Sequence, residues 1–193
     1  MLSTVLKASG VAFYGKLSKA PDASAPLLVV FGGIVVGGIS SGHYMWNYMN
    51  HIKDQFHIFV AQSHKVNGLH SYRSLMTILK AQGLTPSKQI LYLFSGGYGP
   101  GMDLLPGGGP APFSSIYLVD IWMGGPPVPD FYKALVNANV AKITYVYTTF
   151  GANNEKARDY IANKVGSRRA IFVEGKGMDA HMGTNTVAVR NLR

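Results

Sequence analysis

The sequence predicts an α/β protein, a doubly wound and mostly parallel sheet of six strands with helices on both faces. Two observations carry this prediction. Apolar runs rich in Val, Ile, Leu and aromatic residues recur along the chain, each ending in a turn signal. They are continuous rather than alternating, as in strands buried on both faces, and segments of helical length separate them.

Residues 1–25 read as an N-terminal arm or edge hairpin, with GVAFYGKL as its strand-like part. PLLVVFGG, 26–33, is the first strand of the main sheet and runs into a Gly-rich loop. A helix is predicted over 43–53, with Ser40 or Ser41 as its N-cap. FHIFVAQSH, 56–64, is the second strand. The next helix covers 68–82, where Leu69, Tyr72, Leu75, Met76 and Leu79 fall at three- and four-residue spacings, and Gly83 stops it. The third strand, Gln89 to Phe94, leads into Ser95. SIYLVDIWM, 115–123, is the fourth and is followed by a helix over 129–137. KITYVYTTF, 142–150, is the fifth, with a helix over 154–165 behind it. RAIFVEG, 169–175, is the sixth; the tail after it, which carries His181, reads as a flexible stretch folded back over the sheet. The one long irregular stretch, 96–115, has the length of a functional loop.

At 193 residues, and with no interdomain linker or repeat, the chain reads as a single domain. Cysteine is absent, which excludes thiol catalysis, disulfides and thiolate metal sites. Seven Asp and two Glu are the whole supply of carboxylates for acid–base chemistry. Neither a metal nor a cofactor is implied. The net charge is +9, and nine of the eighteen basic residues lie from Lys142 onward. A balance of this size favours nucleic acid, acidic lipid, an acidic protein partner or an assembly surface, and charge scattered over a solvated surface is the competing reading. It is not matched by any nucleic-acid motif, and no Lys/Arg run exceeds two. No secretory signal or transmembrane stretch is seen, so a soluble protein, cytoplasmic or particle-associated, is expected.

In a doubly wound sheet the ligand site lies beyond the carboxyl ends of the strands. Chemistry-bearing residues at those ends are therefore the candidates. Ser95 follows the third strand in LFSGGY, with Gly97 at the downstream position of G-x-S-x-G and Leu93 in place of the upstream glycine. Gly38-Ile39-Ser40-Ser41-Gly42 fits that pattern literally, but it lies across a loop from its strand and better suits a helix cap. Of the six histidines, His64 and His181 stand at strand ends, and His181, in GMDAHMGTN, is the candidate base. Asp120 ends the fourth strand in YLVDIWMGG, among apolar residues, where a carboxylate needs a partner; a histidine Nδ1–H supplies one. Asp103 and Asp179 are the reserves. The amide of Gly96, with that of Gly33 or Ile34 in FGGIVVGG, would receive an oxyanion. Tyr98, Trp122, Met123, Leu104 and Leu105 are candidates for an apolar pocket.

LFSGGY, the FGG loop, VDIWMGG and DAHMGTN occur in the chain order Ser, Asp, His. In this the sequence resembles the α/β-hydrolase superfamily, in a compact form without a large cap, over residues 26 to 185. The resemblance implies Ser95 as nucleophile, His181 as base and Asp120 as acid, acting on a small acyl ester or amide. The acid then stands one strand earlier than usual, a known variant of the fold. Two alternatives remain at this level. One is a catalytically inactive module of the same fold, built into a larger assembly such as a virion. The other is a nucleotide site at the FGG loop, although neither G-x-G-x-x-G nor G-K-[ST] is present.

Overall fold

A computed structural model of the chain describes residues 4–8, 11–33, 41–61, 72–97, 113–121, 142–149, 168–175 and 177–192. It also describes the isolated positions Leu135, Asn137, Val140, Asp159 and Asn163. Among the described residues the sheet has eight strands: β1 Thr4–Ala8, β2 Val11–Ser18, β3 Leu27–Phe31, β4 His57–Ala61, β5 Gln89–Phe94, β6 Ser115–Val119, β7 Ile143–Tyr147 and β8 Arg168–Phe172. Their order across the sheet is β1-β2-β4-β3-β5-β6-β7-β8. The six predicted strands are β3 to β8, and the other two come from the N-terminal segment. There β1 and β2 form an antiparallel hairpin, and β2 pairs antiparallel with β4. All other pairings are parallel.

Every residue of β3, β4, β6 and β7 is buried, which is why these strands read as unbroken apolar runs. One face of the sheet presents Leu28, Val30, Ile58, Val60, Tyr92, Phe94, Tyr117, Val119 and Val146. It is covered by helix α1, Ser41–Met49, through Met45 and Met49, and by helix α3, Gly177–Arg190, through Ala188, with Leu192 just beyond it. The alternate residues, among them Leu27, Val29, Phe31, Leu91, Leu93, Ile116 and Leu118, are buried as well, so both faces are covered. Helix α2, Tyr72–Ala81, joins β4 to β5. The chain reverses its direction across the sheet between α1 and α2, since β4 and β5 flank β3 on opposite sides.

Helix α2 stops where the sequence predicts. Gly83, at φ +77°, allows Leu84 N–H to reach Leu79 O at 3.3 Å and Gly83 N–H to reach Lys80 O at 2.9 Å, the two bonds of a Schellman cap. Helix α1 begins at Ser41, and its C-terminal part tightens into a 3-10 turn at Asn50–Ile52. Asn137 and Leu135, and Asp159 and Asn163, are helical; the rest of the helices predicted over 129–137 and 154–165 lies outside the described residues.

The tail is a correction. His181 does not sit in a flexible stretch but in the second turn of α3, a helix of 14 residues. GMDAHMGTNTVAVR is rich in Gly, Thr, Asn and Val, which are poor helix formers. Burial of one face against the sheet overrides that propensity.

Within β2, Gly15 faces backbone: a Cβ there would run into Val60 O and lie 2.9 Å from the Phe59 ring. Gly15→Ala is therefore expected to destabilise the fold by about 1–3 kcal/mol, because a ladder cannot shift as a side-chain tip can. Urea unfolding would read this as a lower midpoint at unchanged slope; an unaltered midpoint would contradict the close approach.

Candidate active site

Pairing register determines what meets at the carboxyl edge of the sheet. Phe94 of β5 pairs with Val119 of β6, so Ser95 and Asp120 leave adjacent strands side by side. Phe31 of β3 pairs with Leu93 of β5, which brings Gly32 and Gly33 alongside Ser95. Strand β3 lies between β4 and β5, so the β3–β5 crevice is the point where the connections diverge. Ligands bind there in sheets of this kind.

Ser95 and Asp120 share a second property. Among the described residues they are the only non-glycines with positive φ, at 52° and 40°. Such backbone costs about 1–3 kcal/mol and persists only where the surroundings enforce it, most often at functional sites. Ser95 opens a 3-10 turn, Ser95–Gly97, directly after β5. Gly97 is needed for that turn, since a Cβ would lie 2.5 Å from Phe31 O and 2.7 Å from Gly32 O. Leu93, two residues before the serine, is fully buried within β5 and takes no part in the turn.

Asp120 is completely buried. Its Oδ1 accepts the Thr148 amide at 2.8 Å, and its Oδ2 accepts the Thr148 hydroxyl at 2.8 Å. Oδ2 also lies 2.6 Å from His181 Nδ1. A carboxylate surrounded by donors leaves Nδ1 as the nitrogen that carries the ring hydrogen, and Nε2 as the acceptor nitrogen. The His181 ring is buried too and stacks on Phe94, the residue before the serine, with centroids 4.7 Å apart and planes inclined by 29°.

The helix bearing the histidine is tied to the serine strand by a buried polar link. Tyr92 Oη of β5 donates to Asn185 Oδ1 at 2.7 Å, and Asn185 Nδ2 donates to Met182 O at 3.2 Å. Thr184 Oγ1 donates to His181 O at 2.6 Å.

The predicted site residues thus fall into three groups. Asp120 and His181 are in direct contact. Ser95 is beside Asp120 in the sheet and next in sequence to the ring under His181. Gly33 packs against Ser95, while its N–H is donated to Tyr44 Oη at 3.0 Å. Ile34, Tyr98, Trp122, Met123, Leu104, Leu105 and the reserve Asp103 lie outside the described residues, and so does Ser40. Asp179, the other reserve, is exposed on the first turn of α3. His57, buried in β4, serves structure: Nδ1 accepts the Ala20 amide at 3.1 Å and Nε2 lies 3.0 Å from Ala23 O. Sequence reasoning assigned no role to Thr148, Tyr44 or Asn185. Thr148 had a usable signal, its place just beyond a strand end; the other two, on helices, had none.

Solved structures supply the comparison. The chain is similar to a predicted CIB-like hydrolase from Thermoplasma acidophilum, with TM-score 0.65 and 14% identity over 99% of this chain and 95% of that one. It is similar to proline iminopeptidase of Mycobacterium smegmatis, with TM-score 0.63 and 9% identity over 98% and 97% of the two chains. Against Est1E of Butyrivibrio proteoclasticus the TM-score is 0.61, with 11% identity over 99% and 97%. The chain has the α/β-hydrolase fold. No protein-family model matches this hydrolase-fold sequence, and no curated protein matches it. Among its described residues, no three His, Asp or Glu side chains group as metal ligands, and no helix is long and apolar enough to cross a membrane.

Two tests follow from the site's framework. Tyr92→Phe leaves Asn185 Oδ1 buried without this donor, at a cost of about 1–3 kcal/mol in urea unfolding. The buried phenols also set an alkaline limit. Burial pushes Tyr44 from 10.0 up to about 12 and raises Tyr92 well above its ordinary value, with Tyr48 and Tyr117 adding to the latter. The folded chain then keeps protons that the unfolded chain loses, so this stability is whole below pH 10 and declines as pH rises towards about 12. The urea midpoint should fall over that window, and more shallowly in Tyr92→Phe; equal slopes would contradict the assignment.

Proposed function

We propose that the protein is a serine hydrolase that cleaves a small ester or amide through an acyl-enzyme. The observation that carries this reading is the buried His181–Asp120 contact, stacked on the residue that precedes a serine of strained backbone. In the proposed reaction, Ser95 Oγ attacks the substrate carbonyl while His181 Nε2 takes its proton. Asp120 holds the ring in the tautomer that makes this transfer feasible, and Thr148 holds Asp120. His181 then returns the proton to the leaving group, and water releases the acyl group by the same steps in reverse order of roles.

The oxyanion is received by the Gly96 amide, which lies beside Gly33: a Cβ on Gly33 would be 3.4 Å from Gly96 N. Gly33 N–H is already engaged by Tyr44, so Ile34 is the second donor in this reading. Tyr98, Trp122, Met123, Leu104 and Leu105 remain the proposed acyl pocket.

A scaffold of this type hosts many roles, so the alternative reading is a binding module of hydrolase fold without chemistry.

Labelling by a fluorophosphonate separates the two. The folded wild-type chain is expected to label at Ser95, Ser95→Ala to abolish labelling, and Asp120→Asn to slow it by at least about a hundredfold through the wrong histidine tautomer. A folded wild-type chain that never labels would leave the binding module as the surviving reading.

A further inference from the structure

Gly33 is the wall against which the serine rests. A Cβ on it would fall 2.6 Å from Ser95 Cβ and 2.9 Å from Ser95 Oγ, so the Gly33 backbone is in contact with the hydroxyl-bearing side chain. Gly33 lies beyond the last residue of β3, outside the ladder that holds Phe31 to Leu93. What holds its amide is a side chain from another element: Gly33 N–H donates to Tyr44 Oη of α1 at 3.0 Å. The ring of the same tyrosine meets Phe94 edge-on, with centroids 6.1 Å apart and planes at 82°. Phe94 in turn stacks on His181 at 4.7 Å.

We propose that Tyr44 is a positioning residue for the acyl-transfer site: its hydroxyl fixes the Gly33 backbone against Ser95, while its ring backs Phe94 and, through it, the His181 imidazole. This rests on the serine-hydrolase reading and adds to it. One half-buried side chain touches both the wall of the nucleophile and the support of the base, and so sets the distance between them. Burial keeps the phenol protonated up to about 12, which preserves a neutral acceptor for the Gly33 amide at any working pH. The ring alone could be replaced by phenylalanine without loss of packing. The hydroxyl could not, because the bond to Gly33 would go with it.

The test is Tyr44→Phe in the full chain, compared with wild type in fluorophosphonate labelling and in p-nitrophenyl acetate turnover. A misplacement of about an ångström between reacting groups costs up to roughly a hundredfold. The maximal labelling rate and kcat are therefore expected to fall by about ten- to a hundredfold, with KM within about twofold. Hydrogen exchange at the Gly33 amide should become faster in the same variant, a readout that does not depend on activity. Should Tyr44→Phe fold poorly, exchange in the wild-type chain keeps the proposal falsifiable: a Gly33 amide that exchanges as fast as a free loop amide would overturn it.

The failures are distinguishable. If wild type does not label, the acyl-transfer reading falls and takes the role of Tyr44 with it. If wild type labels and folded Tyr44→Phe matches it in rate, only the role of Tyr44 falls. A loss confined to KM, with kcat unchanged, would likewise overturn positioning and indicate substrate contact instead.

Discussion

The contact between His181 Nδ1 and Asp120 Oδ2, 2.6 Å long and closed to solvent, is what the rest of the site depends on. It joins the last helix to the middle of the sheet across 61 residues of chain. A carboxylate at a strand end among apolar neighbours cannot stay there without donors. Thr148 supplies two of them from the adjacent strand, and the histidine supplies one from the helix. The same contact that satisfies the carboxylate orients the imidazole.

Around that bond the sheet acts as a jig. Parallel strands in register deliver their next residues to a common edge, and the pairing of Phe94 with Val119 makes Ser95 and Asp120 neighbours. Both leave the sheet with left-handed backbone, at φ 52° and 40°. Strain of that kind at two adjacent strand ends is held by contacts on every side: Gly97 under the β3 exit, Gly33 against the serine, and Thr148 on the carboxylate. The helix carrying His181 is fastened in turn by Tyr92 and Asn185. Rigid elements therefore position each member, which suits preorganised chemistry better than loops would.

The comparisons bear on the fold and not on the substrate. Identities of 9–14% with proline iminopeptidase, Est1E and a CIB-like hydrolase show one scaffold beneath differently named proteins. A scaffold of this type hosts many reactions, and function has to be argued from the site.

The strands were legible in the sequence because burial on both faces writes an unbroken apolar run, as LLVVF and ILYLF show. Ser95, Asp120 and His181 were legible as candidates for a related reason: polar residues that end such runs, or follow the last of them, must answer to the ligand edge. The α3 helix was not, since Gly, Thr, Asn and Val speak against a helix until the sheet buries one face of it. Nor was the engagement of Gly33 by Tyr44, because a hydroxyl eleven residues away on a helix has no spacing rule linking it to a loop amide. Sequence by itself determined the α/β class and the order Ser, Asp, His, since both follow from local burial and chain order. Tertiary structure alone decided which hydrogen bonds form, because these depend on register between strands and on how helices dock, and no local pattern records either.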